Sequence, residues 1–470
     1  MTLSRQSFSR TRKREFLLAA RYCNSMEATP MRQTSSVFSK SRLYTKHGHR
    51  RYESPLKLRD IKISSLSLHI SGAGIAGSVT AYFLGRAGFD VTVLERSPSL
   101  RTLGQGIDME GPAVEIVRKM GVEALIRGKT TGEKGVAFVD EKNSTFATFD
   151  VGDKQNDIGF TSEIEIMRGD LCDILYTAAS AYPNVNFLFN TSITSLLQTS
   201  DSVSITTSSG TQESYDMLIA ADGFRSKTRS LILENTNTEA FIQSQNCWVA
   251  YFSIPRQDQD HPRSRGYNAV GGRFIMIRPK DDKVSSGYLV LSKDSPVLRK
   301  VQREGMDAQK AALAEIFADA GWEATRVIEG MRDTEDFYLQ DVAKIELGGR
   351  GWSKGRCAMV GDAAYCSFTG TGTTLAILGG YMLAGEILSS PNQPETAFKA
   401  YEDKLAGYVK KAQSAPKGGP QVFVPQTKLG VWSIRTVIWL VYWSGITRWI
   451  GGYKMPKFDL PDYDFDRKTE

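Results

Sequence analysis

Apolar positions near residue 66 predict a strand, a helix and a second strand in direct succession. The run Leu66–Ile70 alternates between apolar and polar residues, as a buried strand does. The run Ile75–Leu84 has helical spacing, and Gly88 is a natural helix stop. The apolar run Phe89–Leu94 predicts the second strand. The pattern therefore favours a strand–turn–helix–strand unit.

The turn of this unit carries glycines in G-x-G-x-x-G spacing, at Gly72, Gly74 and Gly77. The first glycine permits a tight turn, the second lets a pyrophosphate approach the backbone, and the third lets the helix pack closely on the strand. Free N–H groups at the helix start attract phosphate. Glu95 ends the second strand and can accept hydrogen bonds from ribose hydroxyls. The unit therefore predicts dinucleotide binding; the alternative is a glycine-rich turn in an unrelated α/β unit.

Later segments change in character along the chain. Short strand-like runs fill 135–165, and Arg168 opens a helical segment. A largely apolar run ends in Ala-Asp-Gly at Ala221–Gly223, and 240–300 is β-rich. This β-rich part has no Rossmann turn, so we expect a second domain of different architecture.

A second glycine-rich turn follows a predicted strand at Arg356–Val360. Gly361 and Asp362 come directly after this strand, and Gly370 and Gly372 precede a long apolar helix. Backbone N–H groups in such a loop can face a phosphate, a ribityl chain or a flavin edge. Asp362 can hold a ribityl hydroxyl or act as a helix N-cap, and the neighbouring glycines favour the ligand role.

The charge of the chain is concentrated at its start. The formal net charge is +7; residues 1–60 contain 14 Lys/Arg and 4 Asp/Glu, or +10, which leaves −3 for the remainder. The body therefore shows no sign of binding nucleic acid. Five scattered cysteines without a C-x-x-C pair and four histidines argue against a metal site and against a disulfide framework.

Both ends of the chain leave alternatives open. Residues 1–60 are rich in Arg and Ser, which fits a disordered extension, an untranslated stretch or a mitochondrial transit peptide. Residues 429–450 are apolar and aromatic but too short in their uncharged part to span a bilayer. They predict a helix packed over the core or one lying on a membrane surface. We expect a cytoplasmic protein, membrane-associated if that helix contacts lipid, and mitochondrial if the presequence is genuine.

Three motifs in fixed order carry a resemblance to a known family. They are GAGIAG with Glu95, LIAADGFRSKTR, and GRCAMVGDAAYCSFTGTGTTLA. Together they resemble the class A FAD-dependent monooxygenases, the para-hydroxybenzoate hydroxylase family. The loops look most similar to the tetracycline-inactivating and secondary-metabolite branch. The resemblance covers roughly 63–388.

The resemblance implies FAD as cofactor, NAD(P)H as co-substrate, O2, and oxygenation of an aromatic or polycyclic small molecule through a flavin C4a-hydroperoxide. In the β-rich domain Trp248, Tyr251, Tyr267 and Arg273 are candidates to lie near the flavin, and Tyr267 and Arg273 are the predicted substrate contacts. No catalytic residue is named, and no metal is expected. By match to the family, the residues expected to bind cofactor are Gly72, Gly74, Gly77, Glu95, Gly106, Arg168, Asp222, Gly223, Asp362, Gly372 and Thr373.

The sequence departs from the family pattern in two places, and several other functions stay open as alternatives. The loop CSFTG is short and lacks proline, and Tyr365 occupies a position that is often His. Leu375 replaces the third glycine of a second G-x-G-x-x-G, so NAD(P)H has no Rossmann site of its own. The alternatives are an epoxidase, a Baeyer–Villiger enzyme or a reductase of the same fold, or a non-catalytic FAD-binding protein on a membrane surface.

The predicted fold class is α/β, with a Rossmann-like FAD-binding domain interleaved with a β-sheet substrate domain, and C-terminal helices. The boundaries expected are given in chain order: a basic N-terminal extension at 1–62, the first FAD-binding part at 63–235 with inserted strands at 135–165, the substrate domain at 236–345, the second FAD-binding part at 346–415, and an apolar helical segment at 416–470.

Overall fold

The computed structural model describes residues 63–101, 104–151, 164–235, 237, 239–260, 262–414, 419–446 and 457–466. The predicted N-terminal extension, 1–62, lies outside the described residues. So does part of the predicted insertion, at 152–163.

The strands are β1 (Ser67–Ser71), β2 (Asp90–Leu94), β3 (Gly106–Met109), β4 (Gly135–Val139), β5 (Thr145–Asp150), β6 (Ile164–Met167), β7 (Val185–Leu188), β8 (Ile193–Gln198), β9 (Val203–Thr207), β10 (Gln212–Tyr215), β11 (Met217–Ala220), β12 (Ile242–Pro255), β13 (Ser264–Ala269), β14 (Arg273–Pro279), β15 (Val284–Leu291), β16 (Tyr338–Ile345), β17 (Ser353–Lys354) and β18 (Cys357–Met359).

The α-helices are α1 (Ile75–Arg86), α2 (Pro112–Lys119), α3 (Glu123–Arg127), α4 (Arg168–Ser180), α5 (Lys227–Ile232), α6 (Pro296–Val301), α7 (Met306–Phe317), α8 (Ala324–Asp333), α9 (Asp362–Tyr365), α10 (Gly372–Ser389), α11 (Pro394–Ala412) and α12 (Lys428–Ser444).

A six-stranded sheet with the order β17-β18-β11-β1-β2-β7 forms one layer of the fold. All its pairs are parallel except β17–β18. Leu68, His69 and Ile70 of β1 are fully buried, as expected for a parallel sheet covered on both faces. Helix α1 packs against α4 and α10. The predicted strand–turn–helix–strand unit is therefore present as β1, α1 and β2.

A seven-stranded sheet with the order β16-β12-β15-β14-β13-β4-β5 forms the other large layer. Its pairs are antiparallel except β13–β4. Strands β4 and β5, although distant in sequence, thereby join the β-rich part of the chain. Apolar side chains of α7 and α8, such as Phe317 and Val327, share one core with Trp248 and Leu289 of this sheet. The mixed α/β fold class is confirmed.

Helix α12 covers the edge of the seven-stranded sheet opposite β16. Tyr442 packs edge-to-face on Phe149 of β5, with ring centroids 5.9 Å apart, and Val431 is buried. Arg435 donates a hydrogen bond to the carbonyl oxygen of Asn268 at 2.8 Å. Trp432 and Trp443 remain largely exposed. The helix is thus packed on the fold through one face only. Within the described ranges, no helix is both long and apolar enough to cross a membrane.

We expect the folded state to lose stability as the pH falls below 6.5, because of His69 in β1. This side chain is fully buried, neither ring nitrogen has a hydrogen-bond partner, and burial lowers its pKa from 6.5 to about 3. Between these pH values the unfolded chain binds a proton that the folded chain excludes. The expected loss is about 1.4 kcal/mol for each pH unit.

Urea denaturation at pH 7, 5 and 4 measures this loss, with His69→Val as the comparison. The valine variant should lose less stability between pH 7 and pH 4 than the unchanged chain. Equal losses in both proteins would show that other groups account for the acid sensitivity.

Candidate active site

The carboxyl ends of the parallel strands bring the predicted site residues to one edge of the sheet. Strands β1, β2, β11 and β18 run in the same direction, so the residues after each strand meet there. These residues are Gly72, Glu95, Asp222 and Asp362. Ligands of open α/β sheets bind outside this edge. The topology therefore gathers residues that are 290 positions apart in sequence.

The glycine turn after β1 is compressed on one side and open on the other. Gly72 has φ +109°, and a Cβ there would lie 2.6 Å from the carbonyl oxygen of Ala221. A Cβ on Gly77 would overlap the carbonyl oxygen of Gly72. At Gly74, by contrast, a Cβ would have no other atom within 4 Å. The turn thus exposes its backbone at Gly74 alone of the three.

The start of α1 is available to an anion. Its N-cap, Gly74, makes no side-chain capping hydrogen bond, and the first turn contains no acidic residue. Glu95 lies beside it: one carboxylate oxygen accepts from the Ala73 N–H at 3.1 Å and the other from the Ser97 N–H at 2.9 Å. Each carboxylate oxygen has a second lone pair for a further donor. This geometry fits a phosphate at the helix and a hydroxyl at the carboxylate.

Asp222 has a structural role that its motif did not reveal. Its Oδ2 accepts hydrogen bonds from the N–H and the hydroxyl of Thr228, at 3.1 and 3.0 Å, and its Oδ1 accepts from the hydroxyl of Ser226. The carboxylate therefore secures the start of α5. Gly223 has φ +83° and makes the turn between Asp222 and the start of α5.

At this edge the positive charge of Arg168 acts on the carboxyl group of Asp362. Burial raises the pKa of Asp362, and the positive charge of Arg168 opposes that rise. Gly372 begins α10, and a Cβ there would lie 3.8 Å from Oδ1 of Asp362. Thr373 is the next residue of the helix. The start of α10, like that of α1, has neither a side-chain cap nor an acidic residue.

Two adjoining cavities follow this edge. One of about 140 Å³ lies at Gly72, Gly74 and Glu95, and one of about 920 Å³ extends to Asp362. An elongated ligand can therefore reach from the first glycine turn to Asp362. The residues that line both cavities are Arg96, Leu100, Arg101, Arg168, Asp222, Gly223 and Arg225.

The seven-stranded sheet supplies an aromatic wall to the larger cavity. Tyr251, Tyr288 and Tyr338 all line it. The ring of Tyr251 lies edge-to-face on that of Tyr288, at 5.1 Å, and stacks with that of Tyr338, at 6.4 Å. The sequence pointed to Tyr251 as a candidate but not to the other two. Only the alternation of residues along their strands could have indicated them, and the register of those strands was unknown.

The two predicted substrate contacts, Tyr267 and Arg273, do not line this cavity. Tyr267 packs against Trp322 at 5.6 Å, and Arg273 donates to the carbonyl oxygen of Ile316 at 2.8 Å. The cause is the alternation of side chains between the two faces of a strand. Arg273 pairs with Leu291, which lies on the face that packs under α7 and α8. Tyr267 pairs with Ile275, which lies on that same face, as does the buried Trp248. Their placement gives no support to the predicted substrate contact.

Tyr365 fills the position where the family often has His. Its hydroxyl lies 2.7 Å from that of Tyr401, and a Cβ on Gly379 would overlap it. A glycine in α10 therefore makes room for the buried tyrosine. The side chain belongs to the core and not to the cavity wall.

Comparison with known proteins identifies the family. The family model described as "FAD binding domain" matches residues 66–412. The chain is 40% identical to monooxygenase CTB7 of Cercospora beticola over 84% of this chain and 97% of that protein. It is 32% identical to FAD-dependent monooxygenase asL4 of Sarocladium schorii, over 85% and 98%.

Solved structures agree with the sequence relatives. Tetracycline destructase Tet(55) superposes with a TM-score of 0.67 at 27% identity, covering 86% of this chain and 100% of that one. Klebsiella pneumoniae HpxO, solved with FAD and uric acid, shares the fold with a TM-score of 0.64 at 18% identity, over 80% and 92%. With its glycine turns, its paired cavities and these relatives, the chain belongs to the FAD-dependent monooxygenases.

Proposed function

We propose that this chain uses NAD(P)H and O2 to oxygenate an aromatic or polycyclic small molecule in secondary metabolism. The observation that carries the proposal is that Gly74, at the uncapped start of α1, and Asp362, beside the uncapped start of α10, line two adjoining cavities with an aromatic wall. Tetracycline destructase Tet(55), a structural neighbour, is named for a polycyclic compound.

The described residues fit FAD at each of its parts. Gly74 and the start of α1 would hold the pyrophosphate, and Glu95 the adenosine ribose. Asp362 would hold the ribityl chain, with Gly372 and Thr373 close by. Bound there, FAD supplies electron transfer from NAD(P)H and the activation of O2.

The protein's own part is placement and exclusion of water. Tyr251, Tyr288 and Tyr338 present ring surfaces that favour a flat aromatic substrate by stacking. The sequence holds a single G-x-G-x-x-G turn, so NAD(P)H would bind transiently at an open groove. Arg101 and Arg225 on the cavity wall are positive charges able to attract its phosphates.

We expect Gly74→Ala to weaken FAD binding at least tenfold without unfolding the protein. The new Cβ meets no protein atom within 4 Å, so it would enter only the space that a phosphate needs. Gly407→Ala is the matched control, because that position in α11 is equally open and lies away from the cavities. Flavin titration gives the affinity and thermal melting of the apoprotein gives the fold. Unchanged FAD affinity in Gly74→Ala would contradict the proposed pyrophosphate site.

Substrate oxidation under 18O2 tests the reaction class. With hydroxylated polycyclic aromatics as trial substrates, we expect faster NAD(P)H oxidation and one 18O atom in the product. A reduced product without 18O would indicate the reductase alternative. FAD that binds but is never reduced, with any trial substrate, would indicate a non-catalytic protein.

We also propose that the outer face of α12 contacts an anionic membrane surface. Leu429, Trp432, Trp439 and Trp443 are exposed on this helix, and tryptophan prefers the membrane interface. The sequence from 428 to 458 contains no Asp or Glu. Its basic residues are Lys428, Arg435, Arg448, Lys454 and Lys457. Exposed tryptophans on a helix, in a stretch of sequence that is basic and lacks acidic residues, match anionic lipid headgroups.

Vesicle sedimentation tests this contact. We expect the protein to bind vesicles of phosphatidylglycerol and phosphatidylcholine, and to bind pure phosphatidylcholine more weakly. Trp432→Ser with Trp443→Ser should abolish binding. Leu125→Ser with Leu197→Ser, which change exposed leucines elsewhere, should not. Equal binding by both double variants would exclude α12 as the contact.

A further inference from the structure

A further cavity, of about 400 Å³, lies between α12 and the seven-stranded sheet. Its wall is almost wholly apolar, and among the described residues that line it Arg278 is the single charged one. Representative apolar members are Phe138, Phe149, Phe274, Met276, Ile438 and Val441. This apolar cavity therefore suits a hydrophobic ring system.

Arg278 is buried and incompletely satisfied. Its Nε–H donates to Oε2 of Glu133. Oε1 of Glu165 lies 2.8 Å from the same Nε, but this nitrogen has one hydrogen and cannot donate well to both carboxylates. The buried Nη2 has no hydrogen-bond partner, and the Oδ1 atom of Asp108 lies 4.0 Å from it. A donor of the guanidinium is therefore available to a ligand.

Two more buried polar atoms lie beside it, the Tyr288 hydroxyl and Oε1 of Glu165, whose contact with Nε of Arg278 is an ion pair without good hydrogen-bond geometry. Gly106 marks the point where they meet: a Cβ there would overlap Oε1 of Glu165 and lie 3.6 Å from the hydroxyl of Tyr288. Tyr288 lines the large cavity, whereas Arg278 lines the apolar one. The group thus forms the boundary between the two cavities. Incompletely hydrogen-bonded buried polar atoms are rare and costly, and a polar ligand atom at this boundary would satisfy them.

The charges around Arg278 decide what ligand this boundary accepts. Asp108, Glu133 and Glu165 surround one guanidinium. Burial raises the pKa of Glu165 to about 8, Arg278 opposes the rise, and Glu133 and Asp108 add to it; Thr131 donates to its other oxygen at 2.8 Å. At neutral pH Glu165 is therefore mostly protonated. The boundary offers N–H and O–H donors, while the remaining carboxylates disfavour an anion.

We propose that Arg278, Tyr288 and Glu165 form an oxygen-recognition site for the substrate, whose hydrophobic rings occupy the apolar cavity. The substrate class is an uncharged polycyclic compound with a ring carbonyl or hydroxyl oxygen. This inference rests on the proposed function and deepens it. It assigns specificity to Arg278 and Tyr288, which the sequence motifs do not include.

Anthraquinone and anthracene test the site, because they share a ring system and differ in two carbonyl oxygens. Quenching of tryptophan fluorescence in the FAD-loaded protein gives both dissociation constants. We expect anthraquinone to bind at least tenfold more tightly. Arg278→Met should remove that preference while the anthracene affinity stays the same. Arg299→Met, at an exposed arginine of α6, should retain it.

Tyr288→Phe guards against loss of the fold in the arginine variant, since it removes one hydroxyl and keeps the ring that packs on Tyr251. It should reduce the preference for anthraquinone by roughly two- to tenfold, the effect of one hydrogen bond, at an unchanged melting temperature. If Arg278→Met and Tyr288→Phe both bind the two probes as the unchanged protein does, the proposal is wrong.

The pH dependence supplies an independent readout, because neither probe titrates. Below its pKa Glu165 carries a proton to donate; above it the group is a carboxylate that repels a carbonyl oxygen. The preference for anthraquinone should therefore decline as the pH rises through about 8. Glu165→Gln keeps a donor at every pH and should give a flat profile.

A decline of equal size in Glu165→Gln would exclude Glu165 from the recognition site. Flavin content and reduction by NAD(P)H are measured on the same samples. A protein that binds and reduces FAD but does not discriminate between the probes refutes this site and leaves the proposed function intact. Absence of FAD binding would refute the proposed function itself.

Discussion

The close approach of α1 to β1 is the constraint on which the rest of the site depends. Side chains at Gly72 or Gly77 would collide with backbone, so only glycine lets the helix begin directly above the strand ends. Helix α10 crosses α1 at similarly short range, where a Cβ on Gly380 would lie 3.0 Å from atoms of Val79 and Thr80. Small residues thus bring two helix starts together. The resulting concentration of free N–H groups is what an anionic cofactor requires.

The protein keeps polar groups in places where burial is expensive. His69 has no hydrogen-bond partner in the central sheet, and Arg278 shares one N–H between two carboxylates. Each such group lowers stability relative to an apolar core. At Arg278 the polar atoms face cavities, so a bound molecule could satisfy them. His69 lines none of the cavities described above, and the structure provides no functional reason for the histidine.

The seven-stranded sheet separates two tasks by its two faces. One face packs on α7 and α8 and stabilises the fold through residues such as Trp248 and Leu289. The other carries the tyrosines of the large cavity and the apolar cavity under α12. Residues adjacent in sequence, such as Leu289 and Tyr288, therefore serve different purposes. Helix α12 lies between the second face and solvent, since its inner side lines the apolar cavity and its outer side is exposed.

The sequence by itself determined the parts of the protein that are local. The strand–turn–helix–strand unit, its glycines and Glu95 lie within 30 residues, and their spacing alone specifies the turn and the free helix start. The mixed α/β class and the FAD-dependent family also followed from three short motifs. The assignment of each motif residue to a part of FAD remains a prediction, although the structure places Gly72, Gly74, Glu95, Arg168, Asp222, Gly223 and Asp362 on the two cavities.

Only the tertiary structure decided which residues of the β-rich part face the site. Tyr267 and Tyr288 look alike in sequence, but strand register places them on opposite faces, and a shift of one residue would exchange them. Register arises from pairing between distant strands, which no local pattern encodes. The same holds for Arg278, whose partners Glu133 and Glu165 lie more than 100 residues away. Glu133 precedes β4, which joins the second sheet, and Glu165 belongs to β6, which pairs with β3.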